Sequence, residues 1–377
     1  MNNEESIKRR KDAILKEVIT RGFDTVIFAN EYIDQYPSNF IYVSGSWGIG
    51  REHTALILNT DGQSTLVIPH WGATRMAESG RFDNVLPVKQ EKGHHINGVK
   101  EALERHYDAN NVCFDLSTMS AQFAFQLTDA LGIELKRELD ISGYVFKLRS
   151  IKDEFEVEEI KKAVNITEDA VIELASESQS GMSTVDLKKK MDASMILHGA
   201  IGFSFESSVG FARGTRRPPG IIKHKDMLTL DVGCRVPSGY CSDMGRNIPI
   251  TMDSEVKEFL DLAVVAHKDS IKSIRSGVIA GKVLEESNRI NVEYGFDPMV
   301  RCGHQIGLEC HDYTMPFAPN FGPIETDKQP LKAGMTLTYE PPHNQADKGL
   351  RTHFEDIVLI TDGGHVLLNE LPWDFLW

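Results

Sequence analysis

Apolar positions change their spacing several times along this chain, and each change predicts an element. Between Glu5 and Arg21 they fall at Ile7, Ile14, Leu15 and Val18, the repeat of a helix that buries one face. Thr25-Val26-Ile27-Phe28 is a short apolar run that reads as a strand. Thr54 to Asn59, Ser64 to Pro69 and Asn111 to Leu116 read the same way, and helices fit Gly72 to Ser79, Asn97 to His106 and Met119 to Leu131. Strands alternating with helices over roughly 140 residues predict an α/β domain of ordinary size.

Phe146 to Lys152 leads into a long charged helix, Asp153 to Glu177, and a boundary near residue 150 divides the chain into domains 1–150 and 151–377. Ser183 is placed to cap a second helix ahead of Asp186 and Leu187. β-rich segments follow at Gly202 to Val209 and Met227 to Ile250. The order then recurs: a helix from Ser254 to Ser276, another after Gly277, and extended segments at Val300 to Leu308, Met335 to Pro341 and Phe354 to Thr361. Two helix-helix-strand halves facing each other would put a site at their interface.

The 377 residues are 41% hydrophobic and 25% charged, an ordinary globular composition with ample material for a large core. No run of about 18 apolar residues occurs, and Met1 to Glu5 begins neither a signal peptide nor a span, so the expected compartment is the cytoplasm, with no membrane partner. The five cysteines are unpatterned and read as reduced thiols. A net charge of −14 excludes nucleic acid as the expected partner, since phosphate binding needs clustered positive charge.

Candidate chemistry begins at Leu230-Asp231-Val232-Gly233 and Ser242-Asp243-Met244-Gly245-Arg246. A turn at Pro237-Ser238-Gly239 would set the two aspartates on neighbouring strands of a hairpin, although such residues also cap backbone groups or face water. Glycines on both sides of His304, at 303 and 307, permit close backbone approach, and neutral imidazole is a good ligand for Zn, Mn, Co or Fe. His311 lies seven residues on, where it could donate a hydrogen bond to a substrate carbonyl or its tetrahedral intermediate. Cys302, His304, Cys310 and His311 also invite a zinc-site reading, but their separations do not match a paired-cysteine framework. Glu340, in Thr338-Tyr339-Glu340-Pro341-Pro342, and Glu355, in His353-Phe354-Glu355-Asp356, each interrupt an apolar extended run. A buried carboxylate there needs a cation or good hydrogen bonds, whereas an outward one would face water. Four carboxylates and one imidazole suit a pair of divalent ions.

This ordered set, ending in His304-Gln305-Ile306-Gly307-Leu308-Glu309-Cys310-His311-Asp312, Glu340 and Glu355, resembles the pita-bread metalloenzymes: aminopeptidase P, prolidase and methionine aminopeptidase, with creatinase as a metal-free relative. The resemblance covers about residue 150 to the end. Upstream, Tyr36 to Gly45, leading into a strand, resembles the creatinase-type N-terminal domain. The implied fold is an α/β creatinase-like domain followed by an α+β pita-bread catalytic domain. By the resemblance, Asp231 would chelate one metal, Asp243 and Glu355 would bridge both, and His304 with Glu340 would complete the second. The ions would be Mn2+ or Co2+, with Zn2+ or Fe2+ as alternatives, and a hydroxide between ions about 3.5–4 Å apart would be the nucleophile. Glu340 would relay protons and His311 would stabilise the tetrahedral intermediate. The implied activity is that of an Xaa-Pro aminopeptidase or dipeptidase acting on a small peptide or amide, in a homodimer.

Several positions depart from that pattern. Proline-specific members usually carry a histidine upstream of the first aspartate, where this chain has Gly210 to Gly220. They carry another four residues before the metal histidine, where Val300 stands. The span from Asp231 to Asp243 is one residue longer than usual. Arg351 stands four residues before Glu355, where the family arginine usually stands two before. These departures leave open a small-solute C–N hydrolase of the ectoine-hydrolase or creatinase type. A related lyase would have an aspartate where Gly233 stands, and a metal-free peptide-binding module would have lost ligands that this chain keeps. Arg213, Arg216 and Arg217 would either meet a substrate carboxylate or form an exposed basic loop. Trp47, within Gly45 to Gly50, is a candidate lid.

Overall fold

The computed structural model describes residues 1–30, 36–45, 53–89, 94–107, 111–312 and 328–376, which form two compact units, Met1–Arg149 and Ser150–Trp377. Trp47 and its proposed lid lie outside the described residues.

The first unit contains α1 (Asn3–Thr20), β1 (Thr25–Asn30), α2 (Ser38–Ser44), β2 (Thr54–Asn59), β3 (Ser64–Pro69) and α3 (His70–Glu78). It continues through β4 (Asn84–Val88), α4 (His94–His106), β5 (Val112–Asp115), α5 (Ala121–Leu131) and α6 (Ser142–Arg149). Asn2 and Glu5 form a reciprocal cap at the start of α1, and Ser6, Arg10, Ile14 and Val18 form its buried stripe at four-residue spacing. The sheet runs β4-β3-β2-β1-β5, with β3/β4 and β1/β5 parallel and the other pairs antiparallel. Every residue of β1, β2 and β3 is buried, because the helices leave neither face of these strands to water. Ile27, Ile57 and Val67 meet Val99, Leu103, Phe114 and Leu127 in its core. Tyr36 to Gly45, the stretch expected to lead into a strand, holds α2, whose seven residues are all buried, and the next strand is β2.

The second unit starts with α7 (Glu154–Glu177), capped reciprocally by Asp153 and Glu156, and α8 (Thr184–Leu197), capped by Ser183. Short strands follow: β6 (Gly202–Phe203), β7 (Ser208–Phe211), β8 (Met227–Val232), β9 (Cys234–Arg235) and β10 (Met244–Pro249). The second helix pair is α9 (Ser254–Ser270) and α10 (Ala280–Glu293), then β11 (Thr336–Tyr339), β12 (Asp356–Thr361) and β13 (Gly364–Leu367). Each half is thus a helix pair followed by a three-stranded antiparallel sheet, β10-β8-β7 in one and β11-β12-β13 in the other. Bridge pairing of Gly245 with Glu355 ties the two sheets together. Val300 to Leu308, expected to be extended, forms no regular strand of its own but lies along β11, where the Cys302 and His304 carbonyls accept from Glu340 and Thr338 and the Ile306 amide donates to Thr336 around the bridge Gln305–Leu337.

Candidate metal centre

The seam between these sheets gathers the charged residues. On β8 and β10 the register sets Gly245 opposite Asp231, and on its other edge Gly245 exchanges backbone hydrogen bonds with Glu355 at 3.2 Å each way. Asp231 and Glu355 therefore flank a position without a side chain. A Cβ at Gly245 would stand 2.4 Å from Cδ2 and 2.8 Å from the carbonyl oxygen of His353, so this residue must be glycine for the strands to close. Pro237 to Gly239 does turn, with Gly239 donating to the Val236 carbonyl at 2.8 Å. The segment is more than a simple hairpin, however, because β9 leaves it to pair with β6, and Asp243 directly precedes β10.

His304 comes from the other half. Gly303 before it has φ +148°, a conformation that L side chains rarely adopt. The His304 amide donates to Thr338 Oγ1 at 3.1 Å and its carbonyl accepts from the Thr338 amide at 2.8 Å, which locks the segment against β11. Glu340 follows that strand and donates its amide to the Cys302 carbonyl at 3.0 Å. The imidazole is buried, with Nδ1 3.0 Å from the Gln305 carbonyl. Donation there leaves the Nε2 lone pair directed at the carboxylates. Nε2 lies 3.4 Å from Asp243 Oδ2 and 3.9 Å from an oxygen of both Glu340 and Glu355.

Three of these carboxylates, Asp243, Glu340 and Glu355, are buried, whereas Asp231 keeps 44% of its side chain exposed. Burial, then the Asp231 charge, pushes Asp243 well above the usual carboxylate range. Burial followed by repulsion from Glu355 raises Glu340 to about 7, and burial followed by repulsion from Asp243 raises Glu355 to about 7. At Asp231 burial also opposes ionisation, but the His353 ring and the positive charges around it outweigh burial and hold the pKa low. Oδ1 of Asp243 and Oε1 of Glu355 are buried without a hydrogen-bond partner. Crowded carboxylates with unsatisfied oxygens are costly unless a cation compensates them, so this donor set fits divalent ions. Donor atoms of Asp243, His304 and Glu355 lie within 4.8 Å of one another, as do those of Asp231, His353 and Glu355.

His311 is exposed at the rim, its ring centroid 4.2 Å from that of His304. Desolvation on the side facing the site, followed by the charges of His304 and Arg301, lowers its pKa to about 4. Behind it, Lys152 Nζ pairs with Asp312 Oδ2 at 3.2 Å, both side chains buried. Cys310 Sγ lies 3.1 Å from Asp243 Oδ2, and its donor atom groups with those of His304 and His311. Cys302 is fully buried and belongs to neither group.

Two residues here were not singled out from the sequence. His353 has Nε2 3.2 Å from Glu355 Oε2 and 3.7 Å from Asp231 Oδ2. Arg301 is half exposed, with Nη2 3.9 Å from Glu340 Oε2. Conversely, Arg351 does not join the cluster: its guanidinium donates to the Gly214 and Phe211 carbonyls at 3.1 and 3.0 Å. Arg213 pairs with Asp253 and Glu255, and Arg217 pairs with Asp226 while lying 3.6 Å from the Phe211 ring centroid. Arg216 is exposed.

A seam of opposed carboxylates interleaved with imidazoles, within two matching helix-sheet halves, is the signature of a metal-dependent hydrolase. The family model for metallopeptidase family M24 matches residues 158–362, and the chain belongs to that family, as a metal-dependent peptidase. It is 25% identical over 379 residues to a Xaa-Pro dipeptidase of Pyrococcus furiosus, covering 98% of this chain and 100% of the relative. It is 26% identical over 352 residues to an uncharacterized peptidase of Staphylococcus saprophyticus, covering 88% and 93%. Among solved structures, the X-Pro aminopeptidase of Thermotoga maritima superposes with a TM-score of 0.79 at 21% identity, over 94% of this chain and 97% of that one. The Xaa-Pro dipeptidase of Bacillus anthracis gives 0.77 at 22% identity over 98% of each. Likeness at that identity establishes the two-part fold, an α/β unit followed by a pita-bread unit.

Proposed function

We propose that this metallopeptidase holds two divalent ions and cleaves a peptide or related C–N bond in a short substrate, in the manner of a Xaa-Pro dipeptidase. The observation that carries the reading is the convergence of Asp231, Asp243, His304, Glu340 and Glu355 on one seam, where burial and mutual repulsion oppose ionisation of three of them. Glu355 belongs to both carboxylate-imidazole groups, which supports a bridging role for it, with Asp243 as the second bridge. Asp231 would serve one ion, and His304 with Glu340 the other. Mn2+ or Co2+ suits this oxygen-rich set with its nitrogen donor, with Zn2+ and Fe2+ as alternatives. When bound, such ions supply Lewis acidity and acidify water.

The side chains supply the rest. Glu340, raised to about 7, is poised to accept and return a proton near neutral pH. His311 faces the same space from the exposed rim, where it can donate to a substrate carbonyl as charge develops on the oxygen. Arg213 and Arg217 are engaged by their own acidic partners, whereas the half-exposed Arg301, 3.9 Å from Glu340, is a cation beside the carboxylate seam that can meet a substrate carboxylate. A free carboxylate near the scissile bond is a property of dipeptides and other very short substrates. The Xaa-Pro preference rests on the relatives' names, and assembly as a homodimer rests on the family resemblance.

The test is to strip metal with a chelator, reload with Mn2+ or Co2+, and assay Xaa-Pro dipeptides, longer peptides and N-acetylated or cyclic solutes. Activity should vanish on stripping, return on reloading and favour the dipeptides. Full activity in the stripped protein overturns the mechanism, while turnover confined to the solutes selects a small-solute C–N hydrolase. Asp243→Ala or Glu355→Ala should release both ions together; retention of two equivalents contradicts the bridging assignments.

A further inference from the structure

We infer that His353 is a sixth protein ligand of the centre, placing a nitrogen donor on the ion beside Asp231. The inference rests on the dinuclear reading above and extends it. His353 Nε2 is buried and makes no hydrogen bond, although Glu355 Oε2 lies 3.2 Å away and Asp231 Oδ2 3.7 Å away. One nitrogen and two carboxylate oxygens, all within 4.8 Å of one another, form a ligand cradle next to the group of Asp243, His304 and Glu355.

The ring is held in that cradle by the surrounding structure. The His353 amide donates to Asn247 Oδ1 at 2.9 Å, and Asn247 Nδ2 donates to the Arg351 carbonyl at 3.1 Å, so one buried amide grips the chain on both sides of residue 352. The ring lies over Gly245, where any side chain would displace it. Phe354 points the other way, into the core with Phe259 and Trp373. His353 and Glu355 therefore face the metal side together.

The consequence is a centre with one imidazole on each side. A set of carboxylates alone favours hard ions such as Mg2+ and Mn2+, and a nitrogen on each ion moves preference toward Co2+, Fe2+ and Zn2+. His353 could instead act only as a hydrogen-bond donor to Asp231 and Glu355. A glutamine or an arginine could keep such a bond, but neither offers an imidazole nitrogen to a metal.

Cobalt-edge X-ray absorption of the Co2+-loaded wild-type protein counts coordinated imidazoles through ring scattering, and calorimetric titration gives stoichiometry and affinity. The expected result is two imidazoles shared by two ions. In His353→Gln and His353→Arg the imidazole count should halve, and one of the two affinities should fall at least about 10-fold, the lower bound seen when even an outer partner of a ligand is lost. One imidazole shared by two ions in the wild type overturns the assignment and leaves the five-residue centre standing. So does unchanged affinity at both sites in either variant. If the wild type binds no ion, the centre itself fails and His353 with it. The wild-type count needs no variant, so poor folding of a substituted protein does not remove the test.

Discussion

Arg246 offers the sharpest test of how the two sheets are held together behind the metal seam. Its side chain and that of Asp356 are each 1% exposed and meet at 2.6 Å. The same guanidinium donates to the Leu371 carbonyl at 2.6 Å, to Glu355 at 2.9 Å and to Gly245 at 2.8 Å, so one cation grips both partners of the bridge that sets Glu355. Asp356 also accepts from the Trp373 indole. Arg246→Met keeps much of the volume but leaves the Asp356 carboxylate buried without its cation. Loss of one member of a buried pair costs about 3–5 kcal/mol. Arg246→Met should lower stability by that amount in urea unfolding followed by circular dichroism. The double variant Arg246→Met/Asp356→Asn should be less destabilised than the two single variants added together, with a coupling of about 2 kcal/mol, inside the range for contacting residues. The reasoning is refuted if the single substitution costs under about 1 kcal/mol, or if the two effects simply add.

Further outcomes follow from other buried groups. Burial lowers His343 to about 3, and burial with the neighbouring His343 holds His267 well below its ordinary value; both rings are neutral in the fold, whereas the unfolded chain takes up protons near pH 6.5. Their contribution is therefore complete above about pH 6.5 and is lost as pH falls, by up to about 1.4 kcal/mol per unit for each ring. The loss between pH 7 and 5 should be shallower in His343→Asn than in wild type; equal slopes would refute it, and the comparison cancels the opposing carboxylates. Lys152→Met breaks a pair buried beside His311 and should destabilise the protein by about 3–5 kcal/mol, to be checked by unfolding midpoint; a change below about 1 kcal/mol would show that the pair is dispensable. Arg301→Ala should raise KM for a dipeptide about 10-fold or more, as loss of one charge-assisted bond implies, and leave KM for its C-terminal amide unchanged. Equal effects on both substrates would remove Arg301 from carboxylate recognition.

The elements most legible in the sequence are those whose pattern and surroundings agree. Thr54 to Asn59 and Ser64 to Pro69 are apolar runs bounded by turn residues, and they form β2 and β3 over those spans. Ser183 caps α8 because its hydroxyl accepts from the Val185 amide. Residues 38–44 were illegible for the opposite reason. All seven are buried, so no exposed face leaves a helical period in the sequence, and a short apolar run does not distinguish strand from helix. Val300 to Leu308 carries the apolar content of a strand and lies along β11 through the Cys302 and His304 carbonyls and the Ile306 amide, but the ladder ends at Gly307, whose carbonyl accepts from Cys241 and whose amide donates to Glu309.

The site divides along similar lines. Glu340 and Glu355 stand out because a charge interrupting an apolar extended run demands compensation, His304 because of the glycines around it, and Asp231 and Asp243 as a pair on neighbouring strands. Spatial proximity could not be read from those local patterns, since it depends on Gly245 pairing with Asp231 on one edge and Glu355 on the other. His353 was within reach of the same argument. It stands two residues before Glu355, just ahead of β12, and a period of two carried back from that strand sends both side chains to one face. His353 and Glu355 do enter the carboxylate cluster together, and Phe354 turns to the core, where it packs. Arg301 has no such signal: it stands three residues before His304, and its approach to Glu340 follows from the pairing of Cys302 with Glu340, which joins segments far apart in the chain.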